Sequence, residues 1–322
     1  MNYKLLGRTG VQVSQLCFGT MTFGKEADAE TSAALYARCR DAGINFFDCA
    51  DVYVGGESER ILGKLIHSHR RDVIVTTKAF GANSEEINDR GASRRHLKEA
   101  VERSLNRLDT DYIDLYFLHQ FDTNTPIEET LRGLEDIVRD GKVLYIGASN
   151  FAAWQVMKAL GVSERHGWTR FECLQPMYSL VKRQAEVEIL PLAESEQIGV
   201  ISYSPLGGGL LTGKYAKGTA SEESRLSWNE MYQSRYRFDW MKKAAEELPA
   251  IAEKHGYAAA SLAVAWVLQN PAVTAPIVGA RNLDQLEQSL AALDVEMTPE
   301  LHEEITSLSV DPPPATDRAE KR

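Results

Sequence analysis

The stretch YIDLYFLH, residues 112–119, is a short apolar run that ends on a polar side chain, and it is one of eight such runs in this chain of 322 residues. The others are LCFG (16–19), INFFD (44–48), VIVTTK (73–78), VLYIGAS (143–149), FECLQ (171–175), GVISYS (199–204) and APIVG (275–279). The segments between them carry apolar residues at three- and four-residue spacing, which is the period of an amphipathic helix. Eight alternating strand–helix units predict an α/β fold of the (β/α)8 TIM barrel type.

The ends of the chain differ from these repeating units. Residues 3–16, YKLLGRTGVQVSQL, alternate like a β-hairpin with a turn at residues 8–10, and this N-terminal β-hairpin is predicted to cap the bottom of the barrel. No break in composition separates the eight units, so residues 1–310 are predicted to form a single barrel domain. The proline-rich, charged segment 311–322, DPPPATDRAEKR, is predicted to be a disordered tail.

A doubly wound sheet is the alternative fold. Its dinucleotide-binding form carries G-x-G-x-x-G after the first strand, whereas the first strand here leads into GTMTFGKEAD (19–28). The barrel is therefore favoured over the doubly wound sheet.

Composition excludes several classes of protein. The net charge of −10 leaves no excess of Lys and Arg for a generic nucleic-acid surface. The four cysteines form no C-x-x-C pair, which argues against a zinc ribbon or a disulfide scaffold. No stretch has the length and hydropathy of a membrane span, and the first residues lack the apolar core of a signal peptide, so a cytoplasmic location is expected.

Polar side chains follow three successive strands of the predicted barrel. The runs at 44–48, 73–78 and 112–119 end in Asp48, Lys78 and His119, and Tyr53 lies in the loop after Asp48. Catalytic groups of such barrels lie at these carboxyl ends of the strands. A lysine beside a tyrosine is expected to stabilise the phenolate and lower the tyrosine pKa, while a carboxylate holds the ammonium and an imidazole orients a carbonyl oxygen. The four groups together suit proton delivery to an oxygen that becomes an alkoxide, as in carbonyl reduction by hydride.

Each of these four residues also has an ordinary structural interpretation when taken alone. A barrel isomerase with Lys78 as a Schiff base is a further hypothesis, but it leaves Tyr53 without a role. His119 has no neighbouring pair of ligands, so no catalytic metal is expected.

The motifs FDCADVY (47–53), VIVTTK (73–78) and LYFLHQ (115–120) resemble the catalytic pattern of the aldo-keto reductase family. That pattern has an aspartate, a tyrosine shortly after it, a lysine ending the third strand and a histidine ending the fourth. The likeness extends from about Gly7 to Leu293 and includes TPIEETLRGLEDIVRDGKVLYIGASNF (125–151) and SPLGGGLLTGKY (204–215). It is strongest to the bacterial branch near aryl-alcohol dehydrogenases and potassium-channel β subunits.

The resemblance implies a reductase of small aldehydes or ketones in which Tyr53 is the general acid. The alternative that it implies is a cofactor-sensing regulatory subunit with incidental turnover. It also implies NADP(H), bound extended across the barrel mouth without a Rossmann fold. The implied contacts at the nicotinamide end are Gly19, Thr20, Ser149, Asn150, Gln175 and Tyr203. Those along the pyrophosphate are Ser204, Pro205, Leu206, Gly207, Gly209 and Lys214, and those at the adenosine end are Gly279, Arg281, Gln285 and Gln288.

The chain departs from the family pattern at the adenosine end. Several branches place a lysine on the 2′-phosphate where this chain has Gly279. Arg281 is the natural substitute because a guanidinium matches phosphate geometry. NADPH is therefore expected in preference to NADH.

The glycine-rich stretch SPLGGGLLTGKY has a second interpretation. Gly208 to Lys214 satisfies G-x-x-x-x-G-K of a P-loop, but Tyr215 stands where Ser or Thr would hold Mg²⁺. A pyrophosphate held for hydride transfer needs no metal, so this stretch is predicted to clasp NADPH. The insertion at 215–239 is either a surface loop or a flap over the cofactor or substrate. Phe23 and Trp154, with the aromatic residues of the insertion, are candidates for the substrate pocket wall.

Overall fold

Eight parallel strands close into a barrel in the computed structural model, which describes residues 1–215 and 225–316. The strand bounds are β3 Cys17–Gly19, β4 Phe46–Asp48, β5 Ile74–Ala79, β6 Ile113–Leu118, β7 Val143–Ser149, β8 Phe171–Gln175, β9 Gly199–Ser202 and β10 Ala275–Val278. Pairing of Ile277 in β10 with Cys17 in β3 completes the ring. Each strand coincides with one of the eight apolar runs, which confirms the predicted (β/α)8 architecture.

At least one helix follows every barrel strand. The helices are α1 Ala29–Asp41, α2 Glu57–Ile66, α3 Arg94–Leu108, α4 Ile127–Arg139, α5 Ala153–His166, α6 Ile189–Ser195, α7 Arg225–Trp228, α8 Glu230–Arg235, α9 Asp239–Lys254, α10 Ala259–Leu268, α11 Leu283–Leu290 and α12 Pro299–Thr306. Ser93 caps α3 by accepting a hydrogen bond from the His96 amide. Pro126 directly precedes α4, and the Thr125 hydroxyl donates instead to Asp122 Oδ2 at 2.8 Å, so Thr125 is not the cap residue.

The predicted hairpin closes the bottom of the barrel. Strand β1 (Tyr3–Leu5) pairs antiparallel with β2 (Gln12–Ser14). Leu6 and Val13 are buried in a cluster with apolar side chains of the barrel strands, among them Phe117. Gly7 has a φ of +53°, and a side chain there would lie 2.7 Å from the Gly199 amide nitrogen, so the hairpin can approach the barrel this closely only with glycine.

The remaining sequence predictions concern features outside the barrel. All four cysteines are buried and unpaired. Asp311, the first residue of the predicted tail, forms an ion pair with Arg183 at 2.9 Å, and residues 317–322 lie outside the described residues. Within residues 1–215 and 225–316, no helix is long and apolar enough to cross a membrane. The same residues contain no group of His, Cys, Asp or Glu side chains that could hold a metal ion.

Candidate active site

The carboxyl ends of β4, β5 and β6 bring the four predicted catalytic residues together. Lys78 Nζ lies 2.7 Å from Asp48 Oδ2, 2.6 Å from the Cys49 carbonyl oxygen and 3.4 Å from the Tyr53 hydroxyl. The rings of Tyr53 and His119 meet edge to face, with their centroids 6.2 Å apart. Asp48, Tyr53 and His119 line a cavity of about 680 Å³ at the mouth of the barrel, and Lys78 is buried beneath it.

The second oxygen of the Asp48 carboxylate is also fixed. Oδ1 accepts hydrogen bonds from the Thr76 hydroxyl at 2.7 Å and from Gln175 Nε2 at 2.9 Å. A buried ion pair is stable only when its remaining polar atoms have partners. Asp48 therefore holds Lys78 in a fixed position below the Tyr53 hydroxyl.

Burial and charge set the protonation states of the four groups. Burial is the largest single effect on Lys78 and lowers its pKa, but the charge and hydrogen bond of Asp48, together with Tyr53 and Cys49, raise it by more, so the pKa of Lys78 lies above its ordinary value. Burial raises the pKa of Tyr53 to about 12, although Lys78 acts in the opposite direction. The expectation that Lys78 brings the phenol pKa below its ordinary value is wrong for this structure, because the removal of the hydroxyl from water is the larger effect. Burial and then the charge of Lys78 lower the pKa of His119 to about 4, so its imidazole is neutral at pH 7.

Amide and hydroxyl groups at the ends of β7, β8 and β9 form a second network beside the catalytic residues. Asn150 Nδ2 donates to the His119 carbonyl oxygen at 2.9 Å, and Asn150 Oδ1 accepts from the Tyr203 hydroxyl at 2.7 Å. The Ser149 hydroxyl donates to the Gln175 carbonyl oxygen at 3.0 Å. Sequence reasoning placed these residues together but missed the bond from Gln175 to Asp48.

The loops after β9 and β10, with helix α11, form another part of the cavity wall. Their predicted residues that line it are Ser204, Pro205, Leu206, Gly209, Lys214, Gly279, Arg281, Gln285 and Gln288. Gly207, Gly208 and Gly209 all have positive φ. A side chain at Gly208 would lie 2.6 Å from the Tyr232 ring, and one at Gly209 would lie 3.2 Å from Lys214 Nζ. Positive φ favours glycine at all three positions, and at Gly208 the Tyr232 ring also leaves no space for a side chain.

Some predicted residues lie outside the cavity lining. Thr20 is buried, and its hydroxyl donates to the Asp48 carbonyl oxygen at 3.0 Å. Gly207 is buried below the loop surface. Phe23 is 0% exposed and packs on Phe18, because the loop after β3 turns this ring into the core. Trp154 is 61% exposed and packs on Phe121, so neither Phe23 nor Trp154 lines the described cavity.

Several lining residues were not predicted. Phe80 and Gln120 stand just after Lys78 and His119, and this position past a strand end was a usable signal. Met231, Tyr232 and Arg235 come from α8, inside the insertion at 215–239; Tyr232 was among the aromatic candidates for the pocket wall, whereas Met231 and Arg235 were not predicted to line it. Asn229 caps this short helix by accepting from the Met231 amide at 3.1 Å. The insertion therefore contributes to the cavity wall through its described part, while residues 216–224 lie outside the described residues.

A closed parallel barrel with polar groups gathered at the carboxyl ends of its strands has the architecture of a barrel enzyme. The chain is a member of the aldo/keto reductase family, whose model it matches over residues 15–310. Members of this family use NAD(P)H and act on small carbonyl compounds.

Similar proteins occur in plants and bacteria. The chain is 39% identical to a "Probable voltage-gated potassium channel subunit beta" of Oryza sativa subsp. japonica, over 98% of this chain and 99% of that one. It is 38% identical to a protein of the same name from Arabidopsis thaliana, over 92% of both chains. It is also 38% identical to the "Uncharacterized oxidoreductase YrpG" of Bacillus subtilis (strain 168), over 94% of both chains.

Proposed function

We propose that this protein is an NADPH-dependent reductase that converts aldehydes or ketones to alcohols, with Tyr53 as the general acid. The observation that carries the proposal is the arrangement of Asp48, Lys78 and Tyr53, in which a buried ammonium group lies 3.4 Å below a hydroxyl that faces the cavity. The direct test is consumption of NADPH with a panel of aromatic and aliphatic aldehydes. Turnover is expected with at least part of the panel.

The residues around the cavity fit a dinucleotide cofactor. The positive-φ glycines after β9 leave the backbone open to close approach, and Lys214 and Arg281 place positive charge on the same wall. In this proposal Ser204 to Gly209 hold the pyrophosphate, Arg281 holds the 2′-phosphate, and Gln285 and Gln288 contact the adenosine. Ser149, Asn150, Gln175 and Tyr203 hold the nicotinamide end. When bound, the cofactor supplies a hydride to the carbonyl carbon.

The four catalytic residues divide the proton chemistry among them. A Tyr53 pKa of about 12 keeps the phenol protonated at neutral pH, which a proton donor requires. Loss of that proton leaves a phenolate whose charge the neighbouring Lys78 ammonium stabilises. Asp48 keeps Lys78 charged and in place. The neutral His119 imidazole donates a hydrogen bond to the substrate oxygen and orients it toward the Tyr53 hydroxyl.

The pKa of His119 predicts how stability depends on pH. The unfolded value is about 6.5 and the folded value is about 4, so the folded state binds fewer protons between these limits. The contribution of the neutral His119 to the free energy of unfolding is therefore fully present above about pH 6.5, and it is lost as the pH drops toward 4. Denaturant titrations at several pH values measure this effect. Between pH 6.5 and pH 4, the free energy of unfolding of His119→Gln is expected to decrease less than that of wild type, by on the order of 2 kcal/mol. His67→Gln is the control, since that side chain is 68% exposed, and an identical pH dependence for wild type and His119→Gln would contradict the assignment.

Arg281→Ala is expected to weaken NADPH binding about ten- to a hundredfold, because hydrogen bonds to a charged group are worth about 1.5–3 kcal/mol. The dissociation constant of NADH, which has no 2′-phosphate, should change by less than about threefold. The measurement is calorimetric titration of both cofactors. Arg38→Ala is the matched control, because Arg38 is a surface arginine paired with Glu287 and does not line the cavity. If Arg281→Ala weakens both cofactors equally, Arg281 does not recognise the 2′-phosphate.

A second candidate function is a cofactor-binding regulatory subunit, which the names of the two plant relatives favour. The two functions differ in turnover. Tight NADPH binding with negligible turnover across the whole aldehyde panel would support the regulatory subunit and contradict the reductase.

A further inference from the structure

A carboxylate stands beside the arginine that the proposed function assigns to the 2′-phosphate. Glu26 Oε1 lies 3.7 Å from an Arg281 guanidinium nitrogen, and both side chains are largely shielded, at 22% and 23% exposed. The backbone of Arg281 is fixed as well, since its amide donates to Gln285 Oε1 at 3.1 Å. The guanidinium is thus positioned at the cavity wall with one acidic partner already in contact.

The loop that carries Glu26 is held against the loop that carries Arg281. The Thr22 hydroxyl donates to the Ala280 carbonyl oxygen at 2.8 Å. Within the loop, the Gly24 amide donates to the Ala27 carbonyl oxygen at 2.8 Å, and the Ala27 amide donates to the Thr22 carbonyl oxygen at 3.0 Å. These bonds fix the backbone on both sides of Glu26, so its carboxylate remains near Arg281.

The charge of this carboxylate acts differently on the two nicotinamide cofactors. A phosphate monoester carries about −1.5 to −2 charges at pH 7, so a 2′-phosphate on Arg281 would meet repulsion from Glu26 and compete with it for the guanidinium. A free ribose 2′-hydroxyl carries no charge and can donate a hydrogen bond to a carboxylate, as it does to the acidic residue of other dinucleotide sites. Glu26 therefore weakens the binding of a 2′-phosphate, whereas Arg281 strengthens it.

We propose that Glu26 is a specificity-determining residue that reduces the preference of this site for NADPH over NADH by occupying Arg281. This proposal rests on the proposed function, because it takes Arg281 as the group that recognises the 2′-phosphate. Sequence reasoning found Arg281 but not Glu26, since the two residues come from opposite ends of the chain and meet only where β10 closes the barrel onto β3.

The test is calorimetric titration of NADPH and NADH into wild type and Glu26→Gln at fixed ionic strength. The NADPH dissociation constant is expected to fall about two- to fivefold in Glu26→Gln, the upper part of the range for a partly exposed ion pair, and the NADH constant to change by less than about 1.5-fold. Glu30→Gln is the matched control, since it removes the same charge from the exposed first turn of α1. It is expected to leave both constants unchanged.

A double-mutant cycle tests whether Glu26 acts through Arg281. In an Arg281→Ala background, Glu26→Gln should change the NADPH constant by less than about 1.5-fold, because the residue it competes for is gone. If wild type binds neither cofactor, the proposed function fails and this inference fails with it. If wild type binds both but Glu26→Gln leaves the ratio of the two constants unchanged, or shifts both constants in parallel, only the role of Glu26 is overturned.

Discussion

Tyr53→Phe is expected to lower kcat for aldehyde reduction by roughly 10²- to 10⁴-fold, the usual contribution of a positioned general acid. The substitution removes one oxygen atom and leaves the ring, which keeps its edge-to-face contact with His119. The Asp48–Lys78 pair does not depend on the phenol, because Lys78 Nζ retains Asp48 Oδ2 at 2.7 Å and the Cys49 carbonyl at 2.6 Å. Cofactor affinity and the free energy of unfolding should therefore change little. The measurements are steady-state turnover of NADPH and calorimetric titration of the cofactor.

Tyr145→Phe is the matched control for this loss of a hydroxyl. The Tyr145 hydroxyl reaches the Thr9 carbonyl oxygen at 3.4 Å, at the hairpin end of the barrel and away from the cavity. This variant is expected to keep wild-type turnover. If Tyr53→Phe also kept wild-type turnover, Tyr53 would not be the proton donor, and the proposed function would lose its main support.

Lys78→Met is expected to affect both activity and stability. It leaves the Asp48 carboxylate buried without its cation, and breaking one side of a buried ion pair costs about 3–5 kcal/mol. Asp48 Oδ1 keeps its bonds from Thr76 and Gln175, which sets the loss toward the lower end of this range. Turnover should fall at least as far as in Tyr53→Phe, because the phenolate loses the charge that stabilises it. Denaturant unfolding and NADPH consumption measure the two effects.

The double variant Asp48→Asn, Lys78→Met separates these two effects. It removes both charges, so most of the lost unfolding free energy should return, whereas turnover should stay low because Tyr53 still lacks its ammonium partner. Wild-type stability in the single variant Lys78→Met would contradict the description of Asp48 and Lys78 as an interdependent buried pair.

The barrel, and the grouping of Asp48, Lys78 and His119 at its mouth, could be predicted from the sequence for one reason. Parallel strands buried on both faces appear as continuous apolar runs, and the first polar side chain after each run lies at the carboxyl end of the barrel. This rule selects Asp48, Lys78 and His119 without any knowledge of the tertiary structure. The helices were predicted only as segments of helical period between the strands, without residue bounds.

Other features depend on packing that local sequence does not record. The pKa of Tyr53 was predicted in the wrong direction, because the depth of its burial is a property of the closed barrel. The bond from Gln175 to Asp48 joins residues 127 positions apart. Helix α8 is only six residues long, too short for a hydrophobic period to appear, so the helix and two of its cavity-lining residues, Met231 and Arg235, were not recognised.

The Asp48 carboxylate joins two parts of the site through its two oxygens. One oxygen binds Lys78, which in turn contacts the Tyr53 hydroxyl, whereas the other binds Gln175, which belongs to the amide network at the cavity wall. A substitution at Gln175 can therefore alter the position of Lys78 and Tyr53 through this one carboxylate, and a substitution at Tyr53 can likewise alter the position of Gln175. The free-energy effects of substitutions at Tyr53 and Gln175 are therefore coupled rather than additive, and the cost of removing one of them is a property of the connected set.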